Sequence, residues 1–124
     1  MNALSTTGRV LFALPFGVFG INHFLNATAI AGYVPAFFPG GAFWVYLVGV
    51  IFIAVCICII AEKKVRLAAL ILGIVLLIFV LTIHLPGLFN ESQASLTPFL
   101  KDLALAGASF YIAGHYPGNE MEVE

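Results

Sequence analysis

The stretch IFIAVCICIIAEKKVRLAALILGIVLLIF, Ile51 to Phe79, gathers Glu62, Lys63, Lys64 and Arg66 into one short cluster and is otherwise almost wholly apolar. Neither flank alternates between polar and apolar positions, so neither reads as a strand with one wet face. Two lipid-buried helices joined by a short charged turn fit the pattern. Working outward, four stretches supply the roughly 17 to 25 largely apolar residues that a crossing needs. They run over approximately residues 8–25, 41–61, 67–85 and 98–115. Lipid offers no partners to backbone amides, so each is expected to be a helix. The expected fold is all-α, an integral membrane four-helix bundle formed by a single domain over residues 1–124.

Composition agrees with that reading. The 124 residues are 62% hydrophobic and 9% charged, whereas soluble domains are roughly half apolar and a quarter charged. A net charge of -1 leaves no cationic surface to neutralise phosphates, so nucleic acid is not an expected partner. The only cysteines, Cys56 and Cys58, stand two apart on one helix and project about 200° from each other, which prevents a local disulfide. Arg9 before an apolar run and ATA at Ala27 to Ala29 imitate a signal peptide. Pro15, Asn22 and His23 inside that run argue for a retained crossing instead.

Basic residues set the direction. Arg9, Lys63, Lys64 and Arg66 fall on one side of the four crossings and Lys101 on the other, which places both termini, including the acidic tail GNEMEVE, in the cytoplasm. Arg9 is fourteen positions before His23, about 21 Å along a straight helix, so its expected role is to mark the inner side. The outer connection NATAIAGYVPAFFPGG is expected to fold back as an aromatic interfacial segment. In the other, PGLFNESQASLTP, Thr97 and Pro98 read as the N-cap and first position of the fourth helix. Ala13, Gly17 and Gly20 form a stripe open to close helix approach, and Ala104, Gly107, Ala108 and Gly114 a second.

With this orientation His23 ends the first helix, His84 ends the third, and Lys101 and Asp102 begin the fourth, all at the outer end, with Asn22 beside His23. An ionisable group at the centre of a membrane helix costs on the order of 2.5 to 3.5 kcal/mol, and such groups usually face the bundle or water and mark function. These five residues are therefore the candidate polar site. Adjacent helical residues point about 100° apart, so Asp102 is expected to face the bundle while Lys101 snorkels outward or pairs across helices. The plainer account of each histidine is an interfacial anchor or helix-dipole partner, worth about 0.3 to 1 kcal/mol. Phe37, Phe38 and Trp44 read as an interfacial belt or as the lining of a mouth for a flat apolar ligand.

Taken in order, GRVLFALPFGVFGINHF, the VP…FPGG connection, HLPGL closing the third helix and KDLALAGASF opening the fourth resemble the DoxX-like family of small membrane proteins over nearly the whole chain. Arg9, Gly17, Gly20, His23, His84, Lys101 and Asp102 match the family pattern. The resemblance implies a multi-pass, four-helix protein of the bacterial inner membrane. It also implies association with quinone-linked or oxidative-stress complexes, or an accessory role, and it brings no catalytic set.

Two functions follow as expectations. One is a quinone- or redox-associated subunit, with a histidine bonded to a quinone carbonyl, Asp102 relaying protons and aromatic residues holding the ring. The sequence has no Cys-x-x-Cys, dinucleotide glycine motif or iron–sulfur cysteine set, so electrons would come from a partner. The other is a non-catalytic accessory or assembly subunit, in which the polar cluster only clasps the bundle. Membrane lipid, with a larger membrane complex or a homo-oligomer, is the expected company. A haem between His23 and His84 is disfavoured because it needs room between opposed helices. No metal is assigned, although His23, His84 and Asp102 have the ligand types of a two-histidine, one-carboxylate site.

Overall fold

The computed structural model describes residues 2–90 and 96–117, and every regular element among them is helical. Helix α1, Ala3–Leu25, starts earlier than the apolar run because Asn2 caps it, its side chain accepting the Ser5 N–H at 2.8 Å. A short α2, Ala27–Ala31, and a run of turns lead to α3, Ala42–Ala61, which matches its apolar run. Glu62 and Lys64, both at positive φ, make the tight turn into α4, Val65–Phe79.

Here the expected end of the third helix is overturned. A π-helical turn, Val80–His84, follows α4 directly, and α5, Leu85–Asn90, continues from it. Pro86 has no N–H for the Thr82 carbonyl and its ring would crowd that oxygen, which the wider turn avoids. In that turn the Leu85 N–H reaches back five residues to the Val80 carbonyl. His84 thus lies within a continuous helical path rather than at its end. Helix α6, Leu96–Gly114, already includes Thr97, so Thr97 is not its cap. The segment Glu91 to Ser95 of the polar connection and the GNEMEVE tail lie outside the described residues.

Helix α1 packs along α3, α6 packs along α4, and α3 meets α4. The first pair is very close. A Cβ on Gly20 would lie 2.8 Å from the Gly49 carbonyl oxygen, so only glycine allows this crossing. The stripe expected on α6 is misplaced: Gly107 and Gly114 face open space, and Asp102, Ala106, Ser109 and Ala113 are buried instead. Phe16, Phe52, Leu72 and Leu76 fill the centre, while Leu11, Val18, Val50 and Leu81 point outward. Ala3–Leu25, Ala42–Ala61 and Val65–Phe89 are each long and apolar enough to cross a membrane.

Two arginines close the end that carries the Glu62–Lys64 turn. Arg9 turns inward, its side chain 9% exposed, and its Nη1 donates to the carbonyls of Ile59 and Ile60 at the end of α3. Arg66 serves α6 alike, donating to the carbonyls of Ala113 at 3.1 Å and Tyr116 at 3.2 Å. The Tyr116 hydroxyl donates to Glu62 Oε2 at 3.2 Å, and Glu62 Oε1 lies 3.8 Å from Arg9 Nη2, so one network ties all four long helices together. These bonds satisfy carbonyls that a helix terminus leaves without partners. Lys63 is exposed and Lys64 half-buried in the turn.

Candidate functional site: an apolar cavity around one acid

At the opposite end the two helix pairs enclose a cavity of about 650 Å³. Phe16 and Phe19 of α1, Trp44 and Phe52 of α3, and Phe79 of α4 supply aromatic walls. The 32–41 connection folds back over it and adds Tyr33, Pro35 and Phe38. The rim bonds to itself through Trp44 Nε1–H, which donates to the Pro39 carbonyl at 2.6 Å.

Asp102 is the only buried charged residue among the described residues, at 6% exposure. It sits on the inward face of α6 one turn from Pro98, as the sequence reading expects, and both its oxygens are engaged. Oδ2 accepts from His84 Nε2–H at 2.8 Å, and Oδ1 pairs with Lys101 Nζ at 2.9 Å. Asp102 faces the bundle and Lys101 reaches outward and across to α1, as expected; the contact between the two neighbours is the addition. The lysine stem is long enough to curl back from the next position, and its ammonium also stands 5.8 Å from the centre of the Phe19 ring. With its side chain 52% exposed, Lys101 links the buried carboxylate to the mouth.

The remaining candidates divide. His23 lines the cavity but is not hydrogen-bonded to His84 or Asp102; its Nδ1–H donates to the Phe19 carbonyl at 2.6 Å and its ring meets Phe52 edge-on at 5.4 Å. Asn22 is exposed and bonded to Asn26 on the next turn, so it leaves the site. Phe38 and Trp44 line the cavity, whereas Phe37 is 72% exposed and lies tilted against Phe38, ring centres 4.7 Å apart. Among the described residues no three His, Cys, Asp or Glu side chains converge as metal ligands, so His23, His84 and Asp102 do not form the two-histidine, one-carboxylate set.

Phe19 and Thr82 were not visible as site residues in sequence. Phe19 stands four positions before His23, on the same helical face, and that spacing was the available signal. Thr82 lies in the π turn, its hydroxyl donating to the Ile78 carbonyl at 2.6 Å, and nothing in the apolar run announced the turn except Pro86.

The family described as Domain of unknown function (DUF8561) matches residues 12–107. The chain belongs to that family. The matched span of this DUF8561 protein contains every cavity-lining residue, from Phe16 to Leu105, while Arg9 falls outside it. Comparison with curated proteins and with solved structures gives no match. Chemically, the DUF8561 cavity joins a large aromatic interior to one carboxylate, one ammonium and two imidazoles. It suits a molecule that is mostly apolar ring with a few polar atoms at its edge.

Proposed function

We propose that this protein crosses the bacterial inner membrane four times, with both termini cytoplasmic, and holds a quinone-like ring molecule in a cavity near the outer surface, as a subunit that depends on a partner for electrons. The observation that carries the reading is the cavity itself: about 650 Å³ of mainly aromatic wall around the His84–Asp102–Lys101 group. That volume is within the roughly 300 to 1,000 Å³ of small-molecule sites. The resemblance of its sequence motifs to DoxX-like proteins, itself part of this proposal, points to the same ligand class. Direction is supported by Arg9, Lys63, Lys64 and Arg66 lying at the end opposite Lys101. Helix α6 supplies the fourth crossing, its acid and lysine turned to the cavity rather than to lipid.

A direct test uses Trp44, the only tryptophan in the chain and part of the cavity wall. Short-chain quinones titrated into the detergent-solubilised protein are expected to quench its fluorescence saturably, at one molecule per chain. Quenching that rises linearly with concentration, with no saturation, rejects the site. For topology, cysteines placed at Lys64 and Tyr33, with Cys56 and Cys58 replaced by alanine, are expected to react with impermeant reagents from opposite sides. Reaction from one side rejects the four-crossing arrangement.

The accessory reading has its own support in the open face of α6, where Gly107 meets nothing and Leu100 and Tyr111 are exposed. Small residues on such a face admit close approach of another helix. Recovery of a stoichiometric protein partner without any ring compound after gentle extraction would favour that role.

A further inference from the structure

We infer that the cavity opens sideways to the bilayer between α1 and α6, and that its ligand is a ring with an apolar tail, the tail lying outside along Leu11, Leu14 and Val18 of α1. This rests on the reading of the cavity as a ring-binding site, and it specifies the class of ring compound and the side from which it loads.

The other sides of the cavity carry close packing. Helices α1 and α3 meet where a Cβ on Gly20 would stand 2.8 Å from the Gly49 carbonyl oxygen. Helices α4 and α6 approach as closely, since a Cβ on Gly73 would lie 2.7 Å from the Phe110 ring. Between α3 and α4, Phe52 and Phe79 meet edge-on at 6.2 Å, and the 32–41 connection, tied to Trp44 through Pro39, covers the outer end. Of the neighbouring pairs around the cavity, only α1 and α6 do not pack along each other. Their gap is spanned by Lys101, whose ammonium stands 5.8 Å from the centre of the Phe19 ring. Both side chains are partly exposed, and a cation–π contact open to its surroundings is weak, so the span is a light one.

A second hollow, of about 360 Å³, begins on the far side of Phe19 and is lined by Leu11, Leu14, Pro15, Val18 and Phe19 itself. Phe19 is the one residue that it shares with the cavity. At about 100° per residue, Phe16 and His23 point into the cavity, Gly17 and Gly20 lie to one side toward α3, and Phe19 lies to the other. Continuing past Phe19 in the same direction come Pro15 and then Leu11 and Val18, so the hollow sits just outside the α1–α6 gap. Leu14 is the middle residue of Ala3–Leu25, which puts the hollow at the depth of the hydrocarbon centre. A tail leaving by this gap therefore passes from the cavity straight into hydrocarbon, whereas one leaving by the outer mouth would meet headgroups and water. Lipid chains are as apolar as leucine, so a tail that displaces them gains little affinity. The hollow fixes where the tail lies, and position is what the test reads.

Photolabelling of the intact protein in lipid nanodiscs supplies it. The probe is a 1,4-naphthoquinone bearing an alkyl tail about 12 Å long, the helical rise from Phe19 back to Leu11, with a diazirine at its end. The label is expected to concentrate between Leu11 and Val18, and to fall several-fold when excess tailless 1,4-naphthoquinone fills the cavity. A phospholipid with the same diazirine in its acyl chain marks ordinary lipid contact, and its labelling is expected to ignore the tailless ring. Probe label found on the 32–41 connection and displaced by the tailless ring overturns the sideways opening and leaves the ring site standing. Label distributed like that of the phospholipid and not displaced, while the probe still quenches Trp44 saturably, overturns the tail path alone. Absence of both displaceable label and saturable quenching removes this inference together with the reading on which it rests.

Discussion

Replacing Asp102 with alanine is expected to lower the stability of the solubilised protein by about 3 kcal/mol, the lower end of what breaking a buried ion pair costs. Two groups lose their partner at once: the Nε2–H of His84, left in an apolar wall, and the ammonium of Lys101. The half-exposed lysine is partly relieved by water, which keeps the loss from being larger. Asp102→Asn retains an acceptor for His84 but no charge for Lys101, and a loss of about 1.5 kcal/mol is expected. Lys101→Met strands the buried carboxylate instead. The double variant Lys101→Met with Asp102→Asn removes both charges together and is expected to lie within about 1 kcal/mol of the parent. Thermal melting of the three variants in one detergent reads the coupling. Additive losses in the double variant would mean that the two side chains act independently and that the 2.9 Å contact does not bind them as a pair.

Arg9 is expected to be as sensitive. Arg9→Met leaves the end of α3 without the two hydrogen bonds it receives and Glu62 without its nearby cation, a loss of about 3 kcal/mol. Arg9→Lys separates two accounts of this residue. If the arginine serves only as a positive marker of the inner side, lysine replaces it without loss. A guanidinium that caps two carbonyls at once has a fixed fork that lysine lacks, and a loss of about 1 to 2 kcal/mol is expected. Melting of the two variants, with membrane insertion checked in parallel, decides between them. Full stability of Arg9→Lys would assign Arg9 to orientation alone.

Much of this architecture was legible because lipid-facing helices leave a coarse signal. The run from Ala42 to Ala61 is apolar on all sides, and its ends in sequence are its ends in structure. Polar residues that join helices were harder to read. Arg9 looked like a charge at the headgroups because its partners, the carbonyls of Ile59 and Ile60, are backbone atoms that no sequence pattern displays. Asn22 and His23 are adjacent and equally polar, yet only His23 turns toward Phe52, because neighbours on a helix diverge by about 100°. The pairing of His84 with Asp102 was within reach as a shared depth, but its contact depends on a π turn that Pro86 alone hinted at. The rotation rule placed Asp102 inward and Lys101 outward or across helices, but it could not show that the four-carbon lysine stem also curls back to its neighbour's carboxylate. The role of Phe38 and not Phe37 follows from the path of the 32–41 connection, which its prolines and glycines bend without fixing its direction in sequence.

The two arginine caps fasten the molecule at one end. Each joins side chain and carbonyl across 50 residues of chain, and both lie at the same end, with Tyr116 and Glu62 between them. At the other end the pairs α1–α3 and α4–α6 are parted by the cavity, and there Lys101 reaches from α6 to the face of Phe19. The structure has the leverage of tweezers held at one end. From Ile59 to Trp44 the arm is about 22 Å long at 1.5 Å per residue, so a tilt of about 5° at the fastened end corresponds to about 2 Å at the tips.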